Sequence, residues 1–265
     1  MIPRDPALQL VLERARGFVE DRGSRFESLR VAALMGEGDA VRALLHQLEA
    51  LQEASGALTS LEEGGRPDVS SSAAALELLA DLRLLALPCA ERAARFLISE
   101  QRRDGSFEPR PGAGEELCLR FSGRLAATLA PMACVPLRVL DGLGGYLGER
   151  FSPERIGGGR FEDLAAFLPF FTLHPHELGD SALQWCGREL ERGYRTRALA
   201  PLEAARLFLL CDARSLPAAR LDASELVRVI RGRQAPDGGF GSCEDPPGSR
   251  LGETLESTLA LVRLG

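Results

Sequence analysis

Gln101-Arg102-Arg103-Asp104-Gly105-Ser106-Phe107 and Gln234-Ala235-Pro236-Asp237-Gly238-Gly239-Phe240-Gly241 are two copies of one pattern. Each follows an apolar-periodic stretch, Ala93-Ala94-Arg95-Phe96-Leu97-Ile98 in one case and Leu226-Val227-Arg228-Val229-Ile230 in the other. Each places a Gln near the end of that stretch, then an Asp-Gly turn, then an aromatic residue. A looser third copy runs from Leu44-Leu45 through Gln52 to Ser55-Gly56-Ala57-Leu58. The Gly supplies the positive φ with which a chain leaves a helix. The Gln can bond backbone groups left open at a helix end. The residue after the turn can tuck under the hairpin, and a second apolar helix follows each copy.

Working outward from these copies, the whole chain resolves into about six helix pairs. First helices are expected near 5–21, 38–53, 88–102, 134–149, 178–193 and 222–234. Second helices are expected near 25–36, 69–84, 115–130, 161–173, 201–212 and 251–263. A period of about 40 to 50 residues with two helices per repeat marks a closed or open helical array. Several second helices are nearly all apolar, as in Leu164-Ala165-Ala166-Phe167-Leu168, whereas the first helices carry more charge. A helix apolar all round is buried and an amphipathic one faces water. The second helices are therefore expected to form an inner ring and the first helices an outer one. No Pro/Gly/Ser-rich linker divides the chain, so residues 1–265 read as one all-α domain.

The 101–107 segment resembles the QW motif of squalene–hopene and oxidosqualene cyclases, with Phe107 where Trp is usual. The 234–241 segment, followed by Thr258-Leu259-Ala260-Leu261, is similar to the prenyltransferase and squalene oxidase repeat. The resemblance covers about half the chain at motif level. It implies an (α/α)6 toroid like that of terpenoid cyclases and protein prenyltransferase β subunits, and an apolar isoprenoid in a central cavity. Fold alone does not fix activity.

Two signatures of these families can be sought. Class II terpene cyclases protonate their substrate with the middle Asp of a D-x-D-D-T-A segment. Here Asp68-Val69-Ser70-Ser71-Ser72-Ala73 stands in that kind of place, with Ser70 and Ser71 at the second and third Asp positions. A Ser hydroxyl does not protonate an alkene, so cyclisation would need another acid; Asp68 and Ser70 also suit a helix cap. Protein prenyltransferases bind zinc through an Asp, a Cys and a His. This chain has His46, His174 and His176 and no matching Asp-x-Cys, so no metal site is assigned.

Each expected second helix starts near a carboxylate: Glu27, Asp68, Glu115 and Glu116, Glu162 and Asp163, Glu203, and Glu253 with Glu256. Converging on one mouth, these acids could stabilise a cation, donate a proton or hold Mg²⁺ if the substrate carries a diphosphate. They also suit helix N-termini, whose dipole favours anions. Asp68, Glu116, Asp163 and Glu256 are the candidate catalytic acids. Phe121, Phe167, Phe170, Phe171, Ser70 and Ser71 are the candidate substrate-binding residues. Aromatic rings can stabilise carbocations, although Phe at helical spacing also packs cores.

The net charge of −6 gives nucleic acid no attraction. Every one of the 32 basic residues is Arg. The six cysteines form no C-x-x-C pair and mostly fall in apolar stretches, as expected of reduced thiols in a cytoplasmic protein. Met1-Ile2-Pro3-Arg4-Asp5 has no apolar leader, and no apolar run is long enough for a membrane span. Two functions stay open. One is acid-initiated cyclisation or isomerisation of an isoprenoid. The other is a non-catalytic toroid that binds a prenylated or peptide partner. The lining of the central cavity discriminates between them.

Overall fold

The computed structural model describes residues 5–59, 66–242 and 244–265, and these are helical with no strand ladder. The helices fall in six consecutive pairs. They are α1 (Pro6–Arg22) with α2 (Arg25–Leu34), and α3 (Gly38–Leu51) with α4 (Val69–Asp81). Next come α5 (Pro88–Ser99) with α6 (Glu115–Leu129), and α7 (Leu137–Arg150) with α8 (Phe161–Ala165) and α9 (Leu168–Leu173). The last are α10 (Gly179–Thr196) with α11 (Pro201–Leu210), and α12 (Ala223–Arg231) with α13 (Pro247–Leu264).

The starts are written locally. Asp5, Asp68 and Asp222 each accept a backbone N–H at the start of α1, α4 and α12. Ser24 and Glu27 form a reciprocal capping box on α2. Proline opens α1, α5, α11 and α13 with its fixed φ and no N–H to lose.

Two spans differ from expectation. The stretch 161–173 is two short helices, because the backbone of Ala166 lies against Gly123 of α6, where a Cβ would collide with the Ala166 carbonyl. Pro169 also lacks the N–H that would carry one continuous helix across the break. The final helix begins at Pro247 rather than 251, so Glu256 sits in mid-helix and not at a start.

The Gln of the repeat does the same work three times. Gln52 Nε2 donates to the carbonyls of Gly56 and Cys89, at 3.0 and 2.9 Å. Gln101 Nε2 donates to those of Gly105 and Val139, both at 3.0 Å. Gln234 Nε2 donates to those of Gly238 and Val11, at 2.9 and 2.7 Å. Each side chain thus closes its own turn and ties it to another pair's first helix. Gly56, Gly105 and Gly238 have φ of 92, 86 and 91°, and a Cβ on any of them would strike a carbonyl of the helix so tied. Only glycine meets both demands. The residue after the turn is pinned from the other side. The N–H groups of Leu58, Phe107 and Phe240 donate to hydroxyls of Ser72, Ser122 and Thr254 on the following second helix.

α1 packs on α2 and on α13, and α13 packs also on α2, α11 and α12. On the other side, α6 lies against α4, α7, α8, α9 and α11. Phe107, Phe167, Phe170, Phe208 and Phe240 are fully buried in the core. Cys89, Cys118, Cys186 and Cys211 are buried free thiols; Cys134 is only partly buried, and Cys243 lies outside the described residues. No helix among the described residues is long and apolar enough to cross a membrane.

Candidate functional site

The second helices of the pairs face one another around a cavity of about 610 Å³. Phe26 and Phe161, near the starts of α2 and α8, stand at its rim, with Ser70 and Ser71 of α4. Its depth is charged: Arg30, Glu77, Asp81, Arg124, Arg206 and Glu256 come from α2, α4, α6, α11 and α13. Three guanidiniums answer three carboxylates.

Four of these groups form a closed ring of alternating charge. Arg206 Nη1 lies 2.6 Å from Asp81 Oδ1 and 3.9 Å from Glu256 Oε2. Arg30 Nη2 lies 3.0 Å from Glu256 Oε1 and 3.6 Å from Asp81 Oδ2. Arg124 pairs separately with Glu77 at 2.6 Å. Asp81 and Arg206 are only 11% and 16% exposed, whereas Arg30 and Glu256 are more open to the cavity. Burial raises the Asp81 carboxyl above the usual carboxylate range against the pull of Arg206. Burial opposes the Arg206 charge as well, but Asp81 and Glu256 overcome it and hold the guanidinium above its ordinary value. Each buried ion is tolerated because an opposite charge faces it.

Beneath the ring of charges the cavity narrows to a void of about 50 Å³ between Glu77, Asp81, Arg206 and Arg263. Arg263 crosses this waist. Its Nη1 donates to the carbonyls of Ala80 and Asp81 at 3.2 and 2.8 Å, capping the end of α4.

Of the candidate acids, Glu256 lines the cavity and is ion-paired there. Asp68 caps α4 by accepting from the Ser71 N–H at 2.6 Å. Glu116 pairs with Arg120 and Arg155 at 3.0 and 2.7 Å. Its partial burial works to raise the carboxyl, but Arg155 and Arg120 outweigh it and hold it below the usual range. Asp163 is buried between Arg120 and Arg160, at 3.2 and 2.8 Å. Glu27 and Glu203 accept N–H groups at the starts of α2 and α11.

Ser70 and Ser71 line the cavity, and the Ser70 hydroxyl donates to the Pro109 carbonyl at 2.8 Å. Phe167, Phe170 and Phe171 lie away from it, fully or nearly buried. Phe151 meets Phe167 and Phe171 edge-on at 5.4 and 5.9 Å, and Phe171 meets His176. Phe121 is partly buried against the same core. The His176 Nδ1 accepts from the Leu178 N–H, and His174 lies 3.8 Å from Asp141. No cluster of three His, Cys, Asp or Glu among the described residues is placed to hold a metal ion.

Sequence reasoning did not single out Arg30, Glu77, Asp81, Arg124 and Arg206. A signal was present for Glu77, Asp81 and Arg206, which are charged residues within the mostly apolar α4 and α11; a buried helix keeps such a charge only where an opposite one meets it. Arg30 and Arg124 lie on α2 and α6, which carry further charges and give no such signal.

No family model matches the chain, and no curated protein matches it in sequence. In fold it is similar to the crystal structure of a protein from Actinoplanes. The TM-score is 0.63 at 14% identity, over 97% of this chain and 99% of that one. At that identity the likeness concerns the fold alone.

Proposed function

We propose that the chain is a closed (α/α)6 toroid that serves as a binding module, its charged axial cavity receiving a polar, mixed-charge segment of a peptide partner. The closed toroid is supported by the pairwise order of the helices and by the contacts of α1 with α13. The bond from Gln234 to Val11 repeats between the last and first pairs the tie made inside the chain by Gln52 and Gln101.

The observation that carries the binding reading is the alternating ring of Arg206, Asp81, Arg30 and Glu256. Cyclisation needs a protonated acid aimed into an apolar space. The three carboxylates in this cavity each face a guanidinium, and Ser70 and Ser71 at the rim are not acids strong enough to replace them. A lining of interleaved charges instead matches a peptide that carries both signs, with complementarity supplying selectivity.

The test is twofold. Farnesyl diphosphate, geranylgeranyl diphosphate and squalene should yield no product above a protein-free control. Calorimetry with short peptides of alternating Lys and Glu should show binding that weakens with salt and is lost in Glu256→Gln. Turnover of any isoprenoid, or peptide binding indifferent to Glu256, overturns the reading.

A further inference from the structure

Past the waist the axis opens again into a second basin of about 480 Å³, where α4, α6, α9, α11 and α13 end. Its wall is apolar, with Leu85, Met132, Leu173, Leu209 and Leu210 facing the space. The four leucines are only half-buried, unlike the core leucines Leu76, Leu125 and Leu207. Apolar area left in water favours an apolar occupant. An apolar concavity with a few converging polar groups is the usual form of a small-molecule site.

Those polar groups are at the rim. Arg83 and Arg263 converge on a single carboxylate, Asp212 Oδ1, at 3.9 and 3.4 Å. The neighbouring Glu91 is taken by Arg95 at 3.1 Å. Asp212 and Arg83 are 71% and 67% exposed and screened by water alike, whereas Arg263 is 15% exposed. Burial first, and the Arg83 charge next, push the Arg263 guanidinium below its ordinary range despite Asp212. Two cations therefore outweigh the one carboxylate between them. The negative end of α4 is already answered by Arg263 Nη1. Arg263 Nε is buried without a hydrogen-bond partner among the described residues. A planar carboxylate fits a guanidinium fork, and one negative charge matches the single charge in excess.

We infer that this lower basin binds a single-chain amphiphile bearing one carboxylate, its head at Arg83 and Arg263 and its tail along Leu173, Leu209 and Leu210. The site shares no ion pair with the upper cavity, so it stands or falls apart from the peptide reading.

Calorimetry on the full chain with dodecanoate, dodecanol and dodecylammonium, each below its micellar concentration, tests it. Dodecanoate should bind about tenfold more tightly than dodecanol, the worth of a charge-assisted contact, and dodecylammonium should bind least. Arg83→Gln should weaken dodecanoate about tenfold and leave dodecanol unchanged. Asp212→Asn should tighten dodecanoate, a gain that a misfolded protein would not mimic. Asp212 has φ of 44°, which Asn adopts readily.

Location is read at Cys134, the partly buried thiol in the wall. In a Cys243→Ser background, dodecanoate should slow its alkylation by iodoacetamide, and the mixed-charge peptides should not. Any one of three results overturns the inference: dodecanol binding as tightly as dodecanoate, affinity indifferent to both substitutions, or Cys134 left unprotected. Tighter binding of farnesyl diphosphate would also overturn it, by assigning the rim to a diphosphate.

Discussion

The side-chain amide of Gln234 donates a 2.7 Å hydrogen bond to the main-chain carbonyl of Val11, 223 residues earlier in the chain. It joins the last helix pair to the first. At the same seam Asp237, whose carboxylate takes both terminal nitrogens of Arg250 at 2.9 Å within the last pair, reaches the first pair through Arg22 at 3.4 Å. Arg22 and Arg250 each lie over the Phe18 ring there, at 4.6 and 4.9 Å from its centroid.

Replacing Gln234 with Leu removes two bonds and leaves a part-buried carbonyl unanswered. A loss of about 1–3 kcal/mol is expected. Hydrogen exchange should accelerate first in α1, whereas Gln101→Leu should loosen α5 and α7 and leave α1 protected. Equal protection of α1 in both variants would show that Gln234 does not hold the seam.

Glycine substitutions should split by position. Gly238→Ala puts a side chain at φ of 91° and against the Arg14 carbonyl, costing at least roughly 1–2 kcal/mol from conformation alone. Gly145→Ala lies inside α7 with nothing within 4 Å, and should stabilise by about 0.5–1 kcal/mol. Denaturant melts of the two variants should move in opposite directions.

The buried ring of charge makes a non-additive prediction. Asp81→Asn leaves buried Arg206 only its longer contact with Glu256, and a cost of up to about 3–5 kcal/mol is expected. The double change Asp81→Leu with Arg206→Met removes both ions and should lose far less than the sum of the single changes. Additive losses in a double-mutant cycle would mean that the pair is not coupled.

Acid should open the seam. The hydrogen bonds from Arg250 hold Asp237 at a pKa of about 2, below its ordinary 3.8. A carboxyl lowered on folding stabilises the fold above its unfolded pKa, and that stabilisation is lost as pH falls through the folded value. The melting temperature should therefore carry a descending component between about pH 4 and pH 2. Asp237→Asn should lack that component while melting lower at neutral pH. An unchanged acid profile in the variant would assign the transition to other carboxylates.

Much of the architecture was legible because its causes are local. Asp104-Gly105 and Asp237-Gly238 set turns within a few residues, and the capping of α2 and α4 lies within the same short reach. Helix periodicity over 88–102 or 115–130 needs no knowledge of what lies opposite. The break at Ala166 was legible only in part: Pro169 marks it locally, but the approach of Gly123 comes from another helix.

The candidate site divides along the same line. Ser70 and Ser71 were found through the resemblance to the D-x-D-D-T-A segment and Glu256 by reading helix starts, although Glu256 reaches the cavity from mid-helix because α13 begins four residues earlier than its pattern suggests. Phe167, Phe170 and Phe171 carry the same periodicity whether they face the axis or the core, and packing against Phe151 and His176 decided for the core. The amino-acid sequence by itself determined the helix pairs, their turns and the glycines that close them, because those rest on backbone conformation and neighbours a few residues away. Only the tertiary structure decided that Arg30, Asp81, Arg206 and Glu256 meet. Side chains that far apart in sequence come within reach only once the helices that carry them are packed, and burial then makes each charge depend on the one facing it.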